Sequence, residues 1–393
     1  MVKLYGRTLK RRDIAERAGM LSQFAGVRLM TLDNGVERGV RVLEFRTGAG
    51  LRFTLMVDRA MDIADCEHKG RAIGWHSPAG FRHPGLHDDE SEGGLGFIRS
   101  MSGLVTTCGL DHTLKPAEVP ADNYNSSARQ TVRHGLHGRI GFIPARLTGY
   151  GETWTGDDCV LWAEGIVQQS TLFGEDLHLH RRVEADVGGT AIRIRDRVVN
   201  HGFYRTPHML LYHVNVGHPL LEEGSRFLAP IGDVVWASHD GPEYRGQGVG
   251  YRTAAAPRSG FNEQVWEHDT VADRSGVVPA ALVNDRLGLG FLVESRKDQL
   301  PCLLQWQNLQ AGQYVVGLEP STHHILGDLE ARERGEMIWL EHGEERCYDL
   351  TLQVLDGSAE IASAEARISA IAAQPDDDYP APSGNFKPLR KQP

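Results

Sequence analysis

Apolar and polar residues alternate with a period of two along much of this chain. In residues 51–58, Leu51, Phe53, Leu55 and Val57 fall on one parity, with Arg52, Thr54, Met56 and Asp58 on the other. In residues 348–355, Tyr348, Leu350, Leu352 and Val354 alternate with Asp349, Thr351 and Gln353. Successive side chains of a strand point to opposite faces, so this pattern predicts half-buried antiparallel strands. The stretches TAIRIRDRVV, HMLLYHVNV and LGLGFLVES are further strands, separated by glycine and asparagine turn signals. A short charged helix is expected over residues 8–20, and a second one after Ser358, where alanine and glutamate dominate until Pro375 stops it. Residues 76–130 have the texture of long loops, and such loops are often functional. No strand–helix–strand alternation and no fixed-period repeat occurs, which argues against a parallel nucleotide-binding sheet. The chain therefore divides into an N-terminal helical arm (1–30), a β-sandwich (31–356), and a C-terminal helix with a loose tail (357–393).

Composition narrows the function classes. The 393 residues carry a formal net charge of −10, which speaks against nucleic acid or an anionic membrane as partner. No apolar run approaches the roughly 20 residues that span a bilayer, and the basic start of the chain leads into no apolar segment of a secretory signal. The five cysteines are dispersed and never spaced CxxC, as expected of a reduced, cytoplasmic protein. On that reading the sequon at Asn125 is incidental. The GQGVG segment near Gly248 lacks the third glycine and the following helix of a dinucleotide fingerprint.

Three places carry candidate chemistry. His137 lies in RHGLHGRIGF between Gly135 and Gly138, where glycine lets main chain approach a ligand closely. On the strand HMLLYHVNVG, period-two geometry projects Met209, Leu211, His213 and Asn215 to one side. Leu210, Tyr212, Val214 and Val216 face the other side, which reads as core. Glu319 closes the strand before Pro320 and is expected at the sheet rim. Each alone has an ordinary structural explanation: a histidine satisfied by its sheet neighbours, a solvated carboxylate, a loop imidazole bonded to main chain.

Together the three segments resemble the aldose 1-epimerase (galactose mutarotase) family. The resemblance rests on LHGRIGF (136–142), YHVNVG (212–217) and GLEPS (317–321), in that order, and spans roughly residues 40–356. It is closer to a branch of that superfamily whose members read TCGL and LHGR, here TTCGL (106–110) and His137-Gly138-Arg139. The resemblance implies a galactose mutarotase-like super-twisted antiparallel β-sandwich with few short helices, binding a sugar on its concave face. It implies Glu319 as general base, His213 as general acid, and His137 as a second histidine that binds or polarises the sugar. The family's substrate-binding arginine motif is missing, so Arg59, Arg99 or Arg139 inherits its role. Glu263 is the candidate for the family aspartate that holds sugar hydroxyls.

Other candidate binding groups follow from position: Trp306 and Trp75 as stacking platforms, Asp58 beside Arg59 at a strand end, Asn215 beside His213, and His112 after TTCGL. The implied chemistry interconverts anomers of a hexose or modified sugar by ring opening and closure, and needs no cofactor. Two rivals remain open. The many histidines, including the HxH pair His178 and His180, His323-His324 and His83/His87, suit a metal-dependent sugar isomerase, epimerase or lyase. The same architecture also serves non-catalytic carbohydrate-binding proteins. A homodimer is compatible with the terminal segments.

Overall fold

The computed structural model describes residues 1–125, 129–241, 248–373 and 375–389. The serines of the sequon and Gly246 and Gln247 of the GQGVG segment lie outside the described residues. Three antiparallel sheets account for most of the chain. A five-stranded meander is built from Gly26–Thr31, Arg41–Arg46, Leu51–Met56, Asp62–His68 and Arg71–Ala72. An eight-stranded sheet runs in the order Arg146–Thr155, Asp158–Ser170, Asp176–Asp186, Ala191–Asn200, Glu345–Asp356, Leu289–Arg296, Val277–Asn284, Arg226–Leu228. The third runs Ile231–Ala237, Gln264–Thr270, Cys302–Asn308, Val315–Ser321, Thr206–Gly217, Ile338–Leu340, with Val105–Leu110 also pairing to Thr206–Gly217.

The two larger sheets form a sandwich around one continuous core. Leu177, Leu179, Val183, Leu350 and Leu352 come from one sheet, and Leu210, Tyr212, Val214 and Val216 from the other. The parity expected for HMLLYHVNVG is therefore observed. Every residue of Thr206–Gly217 is nevertheless buried, because its outer face is also covered. The cover is a second apolar cluster in which Trp75, Phe97, Met101, Leu114 and Phe142 meet Cys108, Leu211, Cys302 and Leu304. The region expected to be loops thus closes over the sheet, and it contributes the strand Val105–Leu110.

Between the sheets lies a buried ionic network. Arg181 donates from Nε and Nη2 to Asp196 (2.9 and 2.6 Å), from Nη1 to Asp62 and the Ala60 carbonyl (2.7 and 3.0 Å), and from Nη2 to the Thr107 hydroxyl (2.8 Å). Its five N–H bonds are all used. Tyr212 donates its hydroxyl to Asp196 at 2.6 Å. Asp62 belongs to the five-stranded sheet, Asp196 to the eight-stranded one and Tyr212 to the third, so one guanidinium ties all three together.

The ends of the chain differ in detail from expectation. Instead of a helix over 8–20 there is a hairpin, Val2–Leu4 with Arg7–Leu9, followed by a helix of only Arg11–Ala15. Burial of Val2, Leu4 and Leu9 on the main core outweighs the helical propensity of the charged stretch. The helix after Ser358 is present as Ser358–Ile371. The tail beyond it lies on its own sandwich: the Ser383 and Gly384 amides donate to the carbonyls of Val234 and Val235, on the edge strand of the third sheet (2.9 and 3.1 Å). Among the described residues no helix is long and apolar enough to cross a membrane.

Candidate active site

The register of two strands creates the central pair. Leu211 lies opposite Ser321 and Val214 opposite Leu318, which sets His213 directly across from Glu319. The result is a 3.1 Å contact between His213 Nε2 and Glu319 Oε1. On the other side of the imidazole, Nδ1 lies 2.6 Å from Asn215 Oδ1. The Asn215 amide nitrogen donates to the carbonyls of Gly103 and His213, so Oδ1 is an acceptor and His213 Nδ1 carries a hydrogen. Nε2 therefore presents its exchangeable position to the carboxyl group. Asn215 is a positioning residue for His213.

Gly317 makes room for this arrangement. A Cβ on Gly317 would lie 2.5 Å from Glu319 Oε1 and 3.3 Å from His213 Cε1. The glutamate folds back along its own strand into the space that the missing side chain leaves. Replacement of Gly317 by alanine is expected to displace the carboxylate and lower kcat/KM by about 10²-fold, the scale for an ångström of misplacement. Steady-state kinetics, with circular dichroism to confirm folding, checks this.

Burial sets the electrostatics. Both side chains are almost fully enclosed, and the loss of hydration pushes Glu319 up to about 8, helped by the negative charge of Glu263. The same desolvation pulls His213 down to about 3, against the hydrogen bond to Asn215. Through the neutral range the pair thus holds one titratable proton, on Glu319, beside a neutral His213.

His137 completes the polar centre. Its backbone is left-handed (φ 62°), its amide donates to the Leu114 carbonyl (2.8 Å), and its carbonyl accepts from the Gly109 amide (3.0 Å). A Cβ on Gly138 would meet the Gly109 and His112 carbonyls at 2.4 and 2.5 Å, so only glycine lets the loop sit this close to the Val105–Leu110 strand. The ring lies 5.5 Å from that of His213 and 4.9 Å from Phe97. Leu114 donates to Nδ1 at 3.4 Å, which leaves the ring proton on Nε2. Trp306 stands edge to face with His213 at 5.2 Å, and Trp75 with Trp306 at 6.0 Å. Glu263 accepts from Trp306 Nε1 at 2.7 Å.

The remaining candidates are employed elsewhere. Asp58 is consumed by Arg41, whose Nε donates to it at 3.0 Å. The exposed Arg99 pairs with Glu92 on the surface. Arg139 binds Asp89 at 2.9 Å and the Arg133 carbonyl at 3.0 Å, fastening the loop. His112 stacks on His134 at 4.9 Å and bonds the Lys115 carbonyl at 2.9 Å. Arg59 is fully buried beneath Phe142.

Of the metal candidates, His178 and His180 are joined by His201, with ligand atoms within 4.8 Å of one another. They stand on the outer face of the eight-stranded sheet, across the sandwich from His213. A second group, Glu267, Cys302 and His324, was not anticipated as a unit, because its members are far apart in sequence. It shares the outer face of the third sheet with Glu319. There His324 pairs with Glu267 and bonds the Lys387 carbonyl at 3.0 Å, which fastens the tail.

This mostly-β antiparallel sandwich has the galactose mutarotase-like fold. It matches a Klebsiella pneumoniae structure presented as a candidate aldose 1-epimerase, with TM-score 0.81 and 27% identity over 92% of this chain and 91% of that one. A Synechocystis sp. PCC 6803 protein aligns with TM-score 0.58 and 18% identity over 83% and 99% of the two chains. A galactose mutarotase-like protein from Clostridium acetobutylicum gives TM-score 0.55 and 12% identity over 85% and 99%. Residues 37–354 match the family described as a domain of unknown function, DUF4432, and the chain belongs to that family. Among curated proteins none matches.

Proposed function

We propose that the protein is an aldose 1-epimerase-like isomerase that interconverts the anomers of a sugar. The observation that carries this reading is the cross-strand contact of His213 with Glu319 at 3.1 Å, with both side chains almost fully enclosed. Opening a pyranose ring takes a proton from the anomeric hydroxyl and gives one to the ring oxygen. Those two oxygens are bonded to the same carbon, so adjacent acid and base groups serve them together. Once the pair's proton has passed from Glu319 to His213 Nε2, Glu319 Oε1 accepts the hydroxyl proton while Nε2 delivers that proton to the ring oxygen. Rotation of the aldehyde and closure with the roles reversed yields the other anomer. Each group contributes about 10²–10⁴-fold. His137 Nε2–H is a donor toward a sugar hydroxyl, and the Trp306 and Trp75 edges bound the apolar side. The Klebsiella relative's name agrees with this chemistry.

The test is anomer exchange, followed by NMR or polarimetry from a freshly dissolved single anomer. The pair keeps one proton between about pH 3 (His213) and about pH 8 (Glu319). The rate should therefore hold its plateau from mildly acidic pH to about pH 8 and fall above it, as the shared proton is lost. Solution-like groups would instead confine the active ion pair to about pH 4.3–6.5. His137→Asn should raise KM more than it lowers kcat. Saturable sugar binding without faster exchange would identify a carbohydrate-binding protein instead.

A further inference from the structure

Among the described residues two arginines are wholly enclosed, and they are served very differently. Arg181 has a partner for every N–H bond and two carboxylates beside it. Arg59 is 1% exposed, and its Nη2 donates to the Ser100 carbonyl at 2.7 Å. Its Nε and Nη1 are buried with no hydrogen-bond partner, and among the described residues no carboxylate forms an ion pair with it. The guanidinium lies 4.7 Å over the Phe142 ring. Burial lowers it only to about 10, so it remains a cation at neutral pH. A buried charge with idle donors is strongly disfavoured unless something satisfies it.

The surroundings share the same deficit. His87 stacks on Phe142 at 3.9 Å and brings Nδ1 within 3.0 Å of the Ser100 hydroxyl, so Arg59 and His87 converge on the same two residues. His87 Nε2 is also buried without a partner, as is Nε of the half-buried Arg82. Of the nearby acids, Asp89 lies 2.9 Å from Arg139 Nε although its Oδ2 makes no hydrogen bond, and Asp88 accepts from the Glu90 amide at 3.1 Å. A row of rings connects this place to the catalytic pair. Phe142 meets Phe97 at 5.7 Å, Phe97 meets His137 at 4.9 Å, and His137 meets His213 at 5.5 Å.

We propose that Arg59, with His87 and Arg82, receives the acid group of an anionic sugar, a carboxylate or a phosphate, whose anomeric carbon faces His213 and Glu319. The acid-group half of this stands on the unpartnered nitrogens; the orientation of the sugar rests on the isomerase reading. Three idle N–H bonds on Arg59 and one on each neighbour match the several acceptor lone pairs of such a group.

The experiment compares D-glucuronate, D-galacturonate and glucose 6-phosphate with D-glucose and D-galactose at matched ionic strength. Calorimetry and thermal shift are read on the wild type, Glu319→Gln, Arg59→Met and Arg59→Lys. At least one sugar acid should bind about 10-fold or more tighter than its neutral counterpart. Glu319→Gln should keep that preference, Arg59→Lys should keep part of it, and Arg59→Met should abolish it. Unliganded Arg59→Met should melt no lower than wild type, since it removes a buried charge that has only the through-space attraction of Asp62 and no ion pair.

Equal binding of neutral and acidic sugars, or a preference that survives Arg59→Met, overturns the proposal. So does inorganic phosphate shifting Tm as far as the sugar acids, the mark of an adventitious ion only. Arg59-dependent acid binding without faster anomer exchange would keep this site and remove the isomerase reading. Fast exchange of neutral sugars without acid preference would do the reverse.

Discussion

Glu319→Gln should lower kcat for anomer exchange by at least about 10²-fold while sugar affinity changes little. The amide fills the same space over Gly317 but cannot take a proton from the anomeric hydroxyl. His213→Asn should lose a similar factor, and the double variant little more, because acid and base act as one unit. The same glutamine should also stabilise the fold at alkaline pH. Glu319 rises from 4.5 to about 8 on folding, so its stability contribution is complete below pH 4.5 and is lost as pH climbs through 8. Wild type and variant should melt together in acid and separate by a few kcal/mol above pH 8, the variant higher. A variant that is slower yet more stable would mark Glu319 as a group held in an unfavourable environment for its chemistry. Near-normal exchange rates in either single variant would remove that residue from the mechanism.

The second large effect concerns stability. Asp196→Asn should cost about 3–5 kcal/mol, because it leaves the enclosed Arg181 without its double-bonded carboxylate. Asp196 accepts from Arg181 Nε and Nη2 and from the Tyr212 hydroxyl, so one substitution disturbs three hydrogen bonds. Replacing all three charges, as in Arg181→Met with Asp196→Leu and Asp62→Asn, should recover much of the loss, since no uncompensated charge then remains. Urea unfolding of wild type and the two variants measures this. A loss below about 1 kcal/mol for Asp196→Asn would mean that the network is solvated in solution.

What was legible in the sequence follows from periodicity. Alternation in HMLLYHVNVG separated His213 and Asn215 from the core-facing Leu210, Tyr212, Val214 and Val216, and the structure has the same division. The helix from Ser358 was legible because alanine and glutamate agree with their surroundings there. The five-residue helix Arg11–Ala15 was overestimated, because tertiary burial of Val2, Leu4 and Leu9 decides that segment. Register is a long-range property, so the direct opposition of His213 and Glu319 could be suspected only through resemblance. Glu267, Cys302 and His324 come from three separate places, and no local pattern joins them. The ion pairs of Asp58 and Arg139 were hidden in the sequence for a related reason. A charged residue near a site is free for ligand only if no nearer partner claims it, and Arg41 and Asp89 do. The inverse holds for Arg59, whose significance lies in what does not touch it.

Tyr212 and His213 are consecutive, one anchored between the sheets and the other turned to Glu319. The segment that bears the reactive imidazole is thus also a tie-beam of the whole framework. Variation of the proposed ligand preference should therefore leave that segment untouched and target Arg82, His87 and Phe97, which lie outside the sheets and the Arg181 network.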